Sequence, residues 1–182
     1  MRAIIGTALL AMLLAAVFML KTRSPAAAAD ADAGVQARLQ QLEDREAIRV
    51  LFNDYGRLID ERNFEAFAAL FAADSEYVAG PNVAKGPAAI RAQLEGALSA
   101  NSMGIGSPNF HIFFNESIRV DGERATATSK GAFVAPGENG RPQMIILATY
   151  DDVLTREAGR WKFLRRVVRG NLPAPRSPTP AK

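Results

Sequence analysis

The hydrophobic pattern of the first half of the chain predicts helices. Across residues 35–60 apolar side chains recur every three to five positions, at Val35, Leu39, Leu42, Ala47, Leu51, Tyr55 and Leu58. This spacing places them on one face of an amphipathic helix. A second short helix is predicted over residues 63–71, with Asn63 as its N-cap. A third is predicted over residues 88–98, with Pro87 at its first position.

From residue 109 onward the period of the pattern changes to two, which predicts strands. The strands are expected at residues 109–120, 124–134, 143–155 and 161–169, with a shorter one at 76–79 between the second and third helices. A turn at Asp121-Gly122 joins the first two of the long strands. Helices followed by a run of strands predict an α+β fold, with three N-terminal helices packed on a curved antiparallel sheet. Such a sheet forms a cone whose open end is a pocket.

Both ends of the chain are predicted to lie outside a folded domain at residues 35–170. Residues 1–20 combine a basic start with an apolar run, which is typical of a signal peptide or a membrane anchor. Both outcomes remain open, and either predicts an exported protein, periplasmic or extracellular, with membrane contact only through this segment. Residues 21–34 are predicted as an Ala/Pro linker, and residues 171–182 as a disordered Pro-rich tail.

Composition narrows the chemistry that the domain can perform. The 182 residues include no cysteine, which excludes disulfides, thiolate nucleophiles and cysteine-ligated metals. The single histidine argues against a histidine-based zinc site. The formal net charge of +3 is small and partly located in the tails, so nucleic acid is not an expected partner. We therefore expect no metal, no organic cofactor and no nucleic acid.

His111, the one histidine, is the residue that most suggests chemistry. It lies in an aromatic, apolar stretch, and strand alternation places it on one face with Asn109, Phe113 and Asn115. An imidazole held by a carboxylate in an apolar cavity can act as a general base. A lone histidine on a strand is more often a core residue with satisfied polar atoms, and that alternative remains open.

Several segments of the chain occur in a recognisable order. They are residues 42–48, Tyr55 with Asp60, residues 63–71 and 85–90, His111 with Asn115, and residues 150–152 and 159–163. In order and spacing they resemble the nuclear transport factor 2-like superfamily, in particular its SnoaL-like branch. The resemblance covers about residues 35–170 and implies the cone fold with a small-molecule pocket. It implies less about function, because this fold serves many reactions and some non-catalytic roles.

Within the superfamily the chain is similar to scytalone dehydratase and bile-acid dehydratase-like enzymes. Those enzymes pair an aspartate near the end of the first helix with a histidine on the first long strand, and the resemblance places Asp60 and His111 there. It also places Tyr55 at the helix tyrosine of the bile-acid type, and Tyr150 near a polar pocket position. Scytalone dehydratase has a second pocket histidine that this chain lacks. A second proton-transfer group would therefore be Tyr55, Tyr77 or Tyr150.

The resemblance and the residue pattern together define the candidate site. The candidate catalytic residues are His111, Asp60 and Tyr55, and the candidate ligand-binding residues are Tyr150, Tyr77, Asn115 and Arg166. Arg166 and its neighbour Arg165 fall on opposite faces of the last strand, so one of them could contact an anionic or carbonyl group. Surface charge is the alternative for both arginines.

Two interpretations of function follow from these patterns. The first is a pocket for a small hydrophobic or hydroxy-carbonyl ligand, with the activity of a cofactor-independent dehydratase (lyase) or isomerase. The second is a non-catalytic module for ligand binding or assembly, or a tethered accessory protein. A homodimer through the outer face of the strands is also expected, because both faces of the His111 strand are partly apolar and one of them needs a cover.

Overall fold

Three helices and six strands make up the part of the chain that the computed structural model describes, residues 25–99, 108–137 and 140–171. In chain order they are α1 (Pro25–Asp60), α2 (Phe64–Ala68), β1 (Phe71–Ala79), β2 (Asn82–Lys85), α3 (Gly86–Ser99), β3 (Phe110–Asp121), β4 (Arg124–Pro136), β5 (Pro142–Glu157) and β6 (Arg160–Gly170). The expected signal peptide or anchor at residues 1–20, and the tail beyond Asn171, lie outside the described residues. Within the described ranges, no helix combines the length and apolar character needed to cross a bilayer.

The six strands form one sheet in the order β2-β1-β6-β5-β4-β3. All neighbouring strands are antiparallel except β1 and β6, which pair in parallel. The predicted α+β fold is confirmed, but the sheet is larger and less uniform than the sequence indicates. β2 was not predicted because it is four residues long and exposed except at Ala84, so it shows no alternation. A parallel pair needs a crossover connection, and β2, α3 and β3 to β5 all lie between β1 and β6 along the chain.

The chain divides into two compact units, residues 1–42 and 43–182. In the first unit, residues 25–42 are helical and residues 28–42 are exposed. Residues 25–34, for which the composition predicts a linker, are therefore helical here. The physical reason is that alanine has the highest helix propensity and proline suits the first turn of a helix. Of the apolar face predicted for residues 35–60, Val35, Leu39 and Leu42 are exposed.

The second unit contains the hydrophobic core, and the remainder of α1 contributes one side of it. The buried residues of this part of α1 are Ile48, Leu51, Phe52, Tyr55, Leu58 and Ile59. Phe52 stacks on Phe163 of β6 with a centroid distance of 5.8 Å. Burial of one such side chain stabilises a fold by roughly 1.5–3 kcal/mol, whereas an exposed ion pair contributes roughly 0–1 kcal/mol. Apolar packing rather than surface charge therefore holds α1 against the sheet.

Gly56 permits the close approach of α1 to β3. A Cβ atom at this position would lie 3.2 Å from the Cβ atom of His111 and 3.4 Å from its carbonyl oxygen. Contacts of 3.2 Å are tighter than ordinary side-chain packing, so a larger residue would push the two elements apart. The absence of a side chain at Gly56 thus brings the start of β3 within reach of the last turn of α1.

The connection after α1 follows the sequence closely. Asn63 caps α2 as predicted, because its side-chain oxygen accepts a hydrogen bond of 3.1 Å from the backbone N–H of Ala66. The helix is shorter than the pattern indicated, and Phe71 already belongs to β1.

Candidate active site

The end of α1 and the start of β3 bring Asp60 and His111 together. Oδ1 of Asp60 lies 2.6 Å from Nδ1 of His111. Oδ2 of Asp60 accepts a hydrogen bond of 2.8 Å from the backbone N–H of His111. The side chains of His111 and Asp60 are 14% and 17% exposed. The predicted contact is therefore present, and it engages both carboxylate oxygens without sealing the pair from solvent.

This geometry favours one tautomer of the His111 imidazole. A carboxylate at Nδ1 stabilises the form in which Nδ1 carries the proton, so Nε2 retains its lone pair and is the basic nitrogen. The His111 ring also packs against Phe133 of β4 at a centroid distance of 4.6 Å. The Asp60 carboxylate and the Phe133 ring together restrict the orientation of the imidazole.

A pocket of about 510 Å³ lies beside the Asp60–His111 pair. Its lining residues are Asn53, Arg57, Asp60, Glu61, Pro108, Asn109, Phe110, His111 and Phe113. Six of these nine residues are polar or charged. A volume of several hundred Å³ lies in the range of small-molecule sites, although such sites usually have a more apolar lining. Within the described ranges, no group of three or more His, Cys, Asp or Glu side chains is placed to hold a metal ion.

Four of the other predicted site residues meet in a second place, where Asp152 joins them; these five residues, Tyr55, Tyr77, Tyr150, Asp152 and Arg166, are called the buried cluster. Each is at most 6% exposed, and none lines the His111 pocket. The hydroxyl oxygens of Tyr55 and Tyr77 are 3.1 Å apart. Arg166 donates from Nε and Nη2 to the two oxygens of Asp152, over 2.8 and 2.9 Å. Of the two alternatives for Arg166, surface charge is wrong.

Asp152 is the residue of this cluster that the sequence analysis missed. The signal was available, because strand alternation places Asp152 between Tyr150 and the core residue Leu154 on one face of β5. A carboxylate on a buried face requires a partner. Arg166 is the residue opposite it in the β5–β6 register. The pair could therefore have been proposed from the two strands together.

Aromatic rings enclose the Arg166 guanidinium. Its Cζ atom lies 4.0 Å from the ring centroid of Phe163 and 4.2 Å from that of Tyr55, and Phe52, Tyr150 and Phe113 complete the enclosure at 4.8 to 5.4 Å. Such cation–π contacts gain strength when water is excluded. They add to the bidentate ion pair in holding a fully buried charge.

Burial also changes the acidity of the cluster. Desolvation raises the pKa of Tyr77 to about 12, and it raises the pKa values of Tyr55 and Tyr150 as well. Desolvation likewise raises the pKa of Asp152, although the Arg166 charge opposes this change. The three phenols consequently keep their protons at neutral pH and are available as hydrogen-bond donors.

Some buried polar atoms of this region have no hydrogen-bond partner within the described part of the chain. They include Nη1 of Arg166, Oγ of Ser75 and Oγ of Ser129. Buried polar groups in folded proteins are normally paired with protein or water. The free Nη1 atom can therefore donate to a water molecule or to an oxygen of a bound ligand.

Phe113 separates the His111 pocket from the buried cluster. Its ring lines the pocket, and it also contacts Tyr150 at a centroid distance of 5.0 Å and Tyr55 at 5.7 Å. A ligand in the His111 pocket would thus meet this ring before it met the tyrosines. The predicted site is divided into two parts by one side chain.

Asn115, a predicted ligand-binding residue, is exposed and is not among the residues that line the pocket. The register of β3 and β4 shifts between Phe114 and Ser117, and Asn115 has a left-handed φ of 55°. An irregularity of this kind interrupts the alternation of faces. The face shared by His111 and Phe113 therefore does not continue to Asn115.

The outer face of the sheet carries exposed apolar side chains near the same end of the molecule. Phe110 and Ile112 of β3 are 55% and 50% exposed, and Met144 of β5 is 50% exposed. Val134, the residue paired with Phe110 in β4, pairs with Met144 on its other side. These residues form a continuous apolar strip across three strands.

Comparisons with known proteins agree with this architecture. A model of the SnoaL-like domain family matches residues 40–167. The chain is similar to a nuclear transport factor 2-like protein with a cystatin-like fold from Novosphingobium aromaticivorans, at 31% identity over 75% of this chain and 87% of that one, with a TM-score of 0.67. No curated protein matches the chain.

Two further solved structures share the fold. One is a candidate scytalone dehydratase from Novosphingobium aromaticivorans, 27% identical over 72% of this chain and 87% of that one, with a TM-score of 0.61. The other is a hexachlorocyclohexane dehydrochlorinase, 22% identical over 74% of this chain and 90% of that one, with a TM-score of 0.63.

Proposed function

This chain belongs to the SnoaL-like domain family, and from that premise we propose that it is a cofactor-independent lyase or isomerase acting on a small hydroxy-carbonyl compound. The observation that carries the proposal is the 2.6 Å contact between Asp60 and His111 in the wall of a pocket of about 510 Å³. The similarity to a candidate scytalone dehydratase at 27% identity supports dehydration as the reaction class.

In the proposed reaction His111 is the general base. Nε2 of His111 removes a proton from the carbon next to a carbonyl group, and the C–H electron pair moves toward the carbonyl oxygen. In a dehydration the enolate electrons then form the carbon–carbon double bond and restore the carbonyl group, while the β C–O bond breaks and the imidazolium gives its proton to the departing hydroxyl group, which leaves as water. In an isomerisation the imidazolium returns the proton to another carbon. Asp60 stabilises the imidazolium and holds its orientation throughout.

The developing negative charge on the carbonyl oxygen needs hydrogen-bond donors. The proposal assigns this role to the buried cluster, in which Tyr55, Tyr77 and Tyr150 keep their protons and Nη1 of Arg166 has no partner among the described residues. Donors preorganised in a dry environment stabilise such charge strongly. Because Phe113 lies between this cluster and His111, its ring must rotate aside when the ligand enters.

Ring opening of nitrobenzisoxazole tests the base directly, since it requires only the removal of one proton from carbon and no cofactor. We expect His111→Ala to lower kcat/KM by about 10²- to 10⁴-fold, and Asp60→Asn to lower it less. Glu46→Gln is the matched control, because Glu46 is an exposed residue of the same helix. A parental rate in His111→Ala would exclude His111 as the base.

The second candidate function is a ligand-binding module without turnover. It is favoured by the closure of the buried cluster behind Phe113 and by the lack of a second histidine in the sequence. A panel of hydroxy-carbonyl compounds distinguishes the two functions. A ligand that raises the thermal midpoint but is recovered unchanged supports the module, whereas product formation that depends on His111 supports the enzyme.

We also propose that the protein is a homodimer joined through the apolar strip of the sheet. The exposed Phe110, Ile112 and Met144 support this, because soluble monomers rarely leave a continuous apolar surface uncovered. Sedimentation equilibrium at micromolar concentration should give twice the chain mass, and Ile112→Lys should give the mass of one chain. A parent that sediments as a monomer contradicts the proposal.

Export is proposed from residues 1–20 alone, on their basic start and apolar run. When the full chain is produced in bacteria, it should be found in the periplasmic or the membrane fraction. A soluble cytoplasmic pool of full mass contradicts export.

A further inference from the structure

Arg62 occupies an unusual position at the end of α1. The backbone N–H groups of Asn63 and Arg62 donate to the carbonyl groups of Leu58 and Ile59, over 2.9 and 3.2 Å. This pattern ends a helix with one residue in the left-handed region, where glycine is usual because it has no Cβ atom. Arg62 takes that position with a φ of 59°. This conformation is disfavoured for a residue with a Cβ atom.

One nitrogen of Arg62 touches both segments that carry the candidate dyad. Nη1 donates to the carbonyl oxygens of Ile59 and Asp60, over 2.7 and 3.3 Å. The same atom donates to Oδ1 of Asn109 over 3.3 Å, so one of its two N–H groups is shared between two acceptors. Asn109 is buried and precedes His111 by two residues. Arg62 therefore makes a second link between the end of α1 and the start of β3, beside the direct contact of Asp60 with His111.

We propose that Arg62 is a positioning residue that holds the Asp60 carboxylate opposite His111 through Asn109. The C-terminus of a helix carries partial negative charge, which disfavours a carboxylate at Asp60. The Arg62 guanidinium offsets that charge at the carbonyl groups and ties them to β3. Asp60 then remains in the one orientation in which both of its oxygens reach His111. The proposal deepens the proposed function and rests on it only for the effect on turnover.

The test uses the His111 tautomer as a readout that does not depend on turnover. Because the chain has one histidine, imidazole nitrogen signals in an NMR spectrum of the full chain come from His111 alone. Arg62→Gly removes the side chain and suits the left-handed backbone, so the turn itself is not strained. We expect the parent to show one tautomer and Arg62→Gly to show a mixture. Asn109→Ala should show the same mixture, and Arg62→Lys should partly restore the single tautomer.

Turnover of nitrobenzisoxazole provides the second readout. Arg62→Gly should lower kcat by on the order of tenfold with little change in KM, because a misplaced catalytic group slows the chemical step more than it weakens binding. Arg49→Ala is the control, since Arg49 is an arginine of the same helix whose partner is the exposed Glu46. If Arg49→Ala changes the tautomer as much as Arg62→Gly does, the effect is a general loss of helix charge and the proposal is overturned.

A single His111 tautomer in Arg62→Gly also overturns the proposal, and Arg62 is then only a helix cap. If the parent shows no turnover, the proposed function fails, and the tautomer measurement alone decides the role of Arg62. The two failures are therefore distinguishable.

Discussion

The Asp152–Arg166 pair and the Asp60–His111 pair lie within the same fold, and they differ in exposure and in chemistry. The side chains of Asp152 and Arg166 are 0% exposed, whereas those of His111 and Asp60 retain 14% and 17%. Arginine keeps its proton under all ordinary conditions, but histidine exchanges its proton near neutral pH. The buried pair can organise the core and hold charge, whereas the pair beside the pocket contains the group that serves as the base in the proposed reaction.

The difference in burial also implies that the two pairs contribute differently to the free energy of unfolding. Removing both charges of Asp152 and Arg166 from water is costly, and the cost is recovered only by good geometry. Here the recovery comes from two hydrogen bonds and the surrounding aromatic rings. Asp60 and His111 are partly exposed, so water can hydrate either side chain when its partner is removed. The loss of either partner should therefore cost less stability than it does in the buried pair.

The largest expected effect is therefore on the buried pair. Arg166→Met should lower the free energy of unfolding by about 3–5 kcal/mol, because it leaves Asp152 as an uncompensated buried charge. Urea denaturation measures this. The double variant Asp152→Leu/Arg166→Met is the control and should recover part of the loss. A decrease below about 1 kcal/mol in the single variant would show that the buried pair contributes no more to stability than an exposed ion pair does.

A smaller effect should appear at high pH and should involve the buried cluster alone. The pKa of Tyr77 is about 12 in the folded chain, against the ordinary value of 10.0. Because the folded chain holds the phenol proton more tightly than the unfolded chain does, the resulting stabilisation is complete below pH 10. It is lost as the pH rises through the pKa of the folded state. Two pKa units correspond to on the order of 2–3 kcal/mol.

Urea denaturation between pH 9 and pH 12 measures the alkaline loss. Tyr77→Phe should show a shallower decrease than the parent, because it has one phenol fewer to ionise. An equal decrease in the free energy of unfolding of parent and variant would mean that groups other than Tyr77 cause the alkaline loss of stability.

The smallest of the three effects is expected at the pair beside the pocket. Asp60→Asn removes the charge but keeps the shape, and should cost about 1–2 kcal/mol, the value of one or two hydrogen bonds. Its effect on turnover should exceed its effect on stability. Thermal denaturation and nitrobenzisoxazole kinetics on the same preparation compare the two. A loss of stability as large as that of Arg166→Met would instead make Asp60–His111 a structural pair.

Much of the fold follows from local pattern, and the exceptions have identifiable causes. The spacing of apolar residues predicts the buried part of α1, and the side chain of Asn63 predicts the start of α2. β2 is too short to show a period, and its pairing with β1 is visible only in the assembled sheet. The alanines that suggest a linker before residue 35 are also good helix formers, so composition alone does not separate the two states.

For the candidate site, the family resemblance of the sequence was enough to predict that Asp60 contacts His111. The sequence by itself also determined which residue types are available for proton transfer. Only the tertiary structure decided which predicted residues share a cavity. Phe113 separates His111 from Tyr55 and Arg166, and the irregularity of β3 takes Asn115 out of the site. The physical reason is that alternation along a strand fixes the face of each side chain only while pairing is regular. Where the sheet bends and which rings fill its interior depend on contacts between residues far apart in the chain.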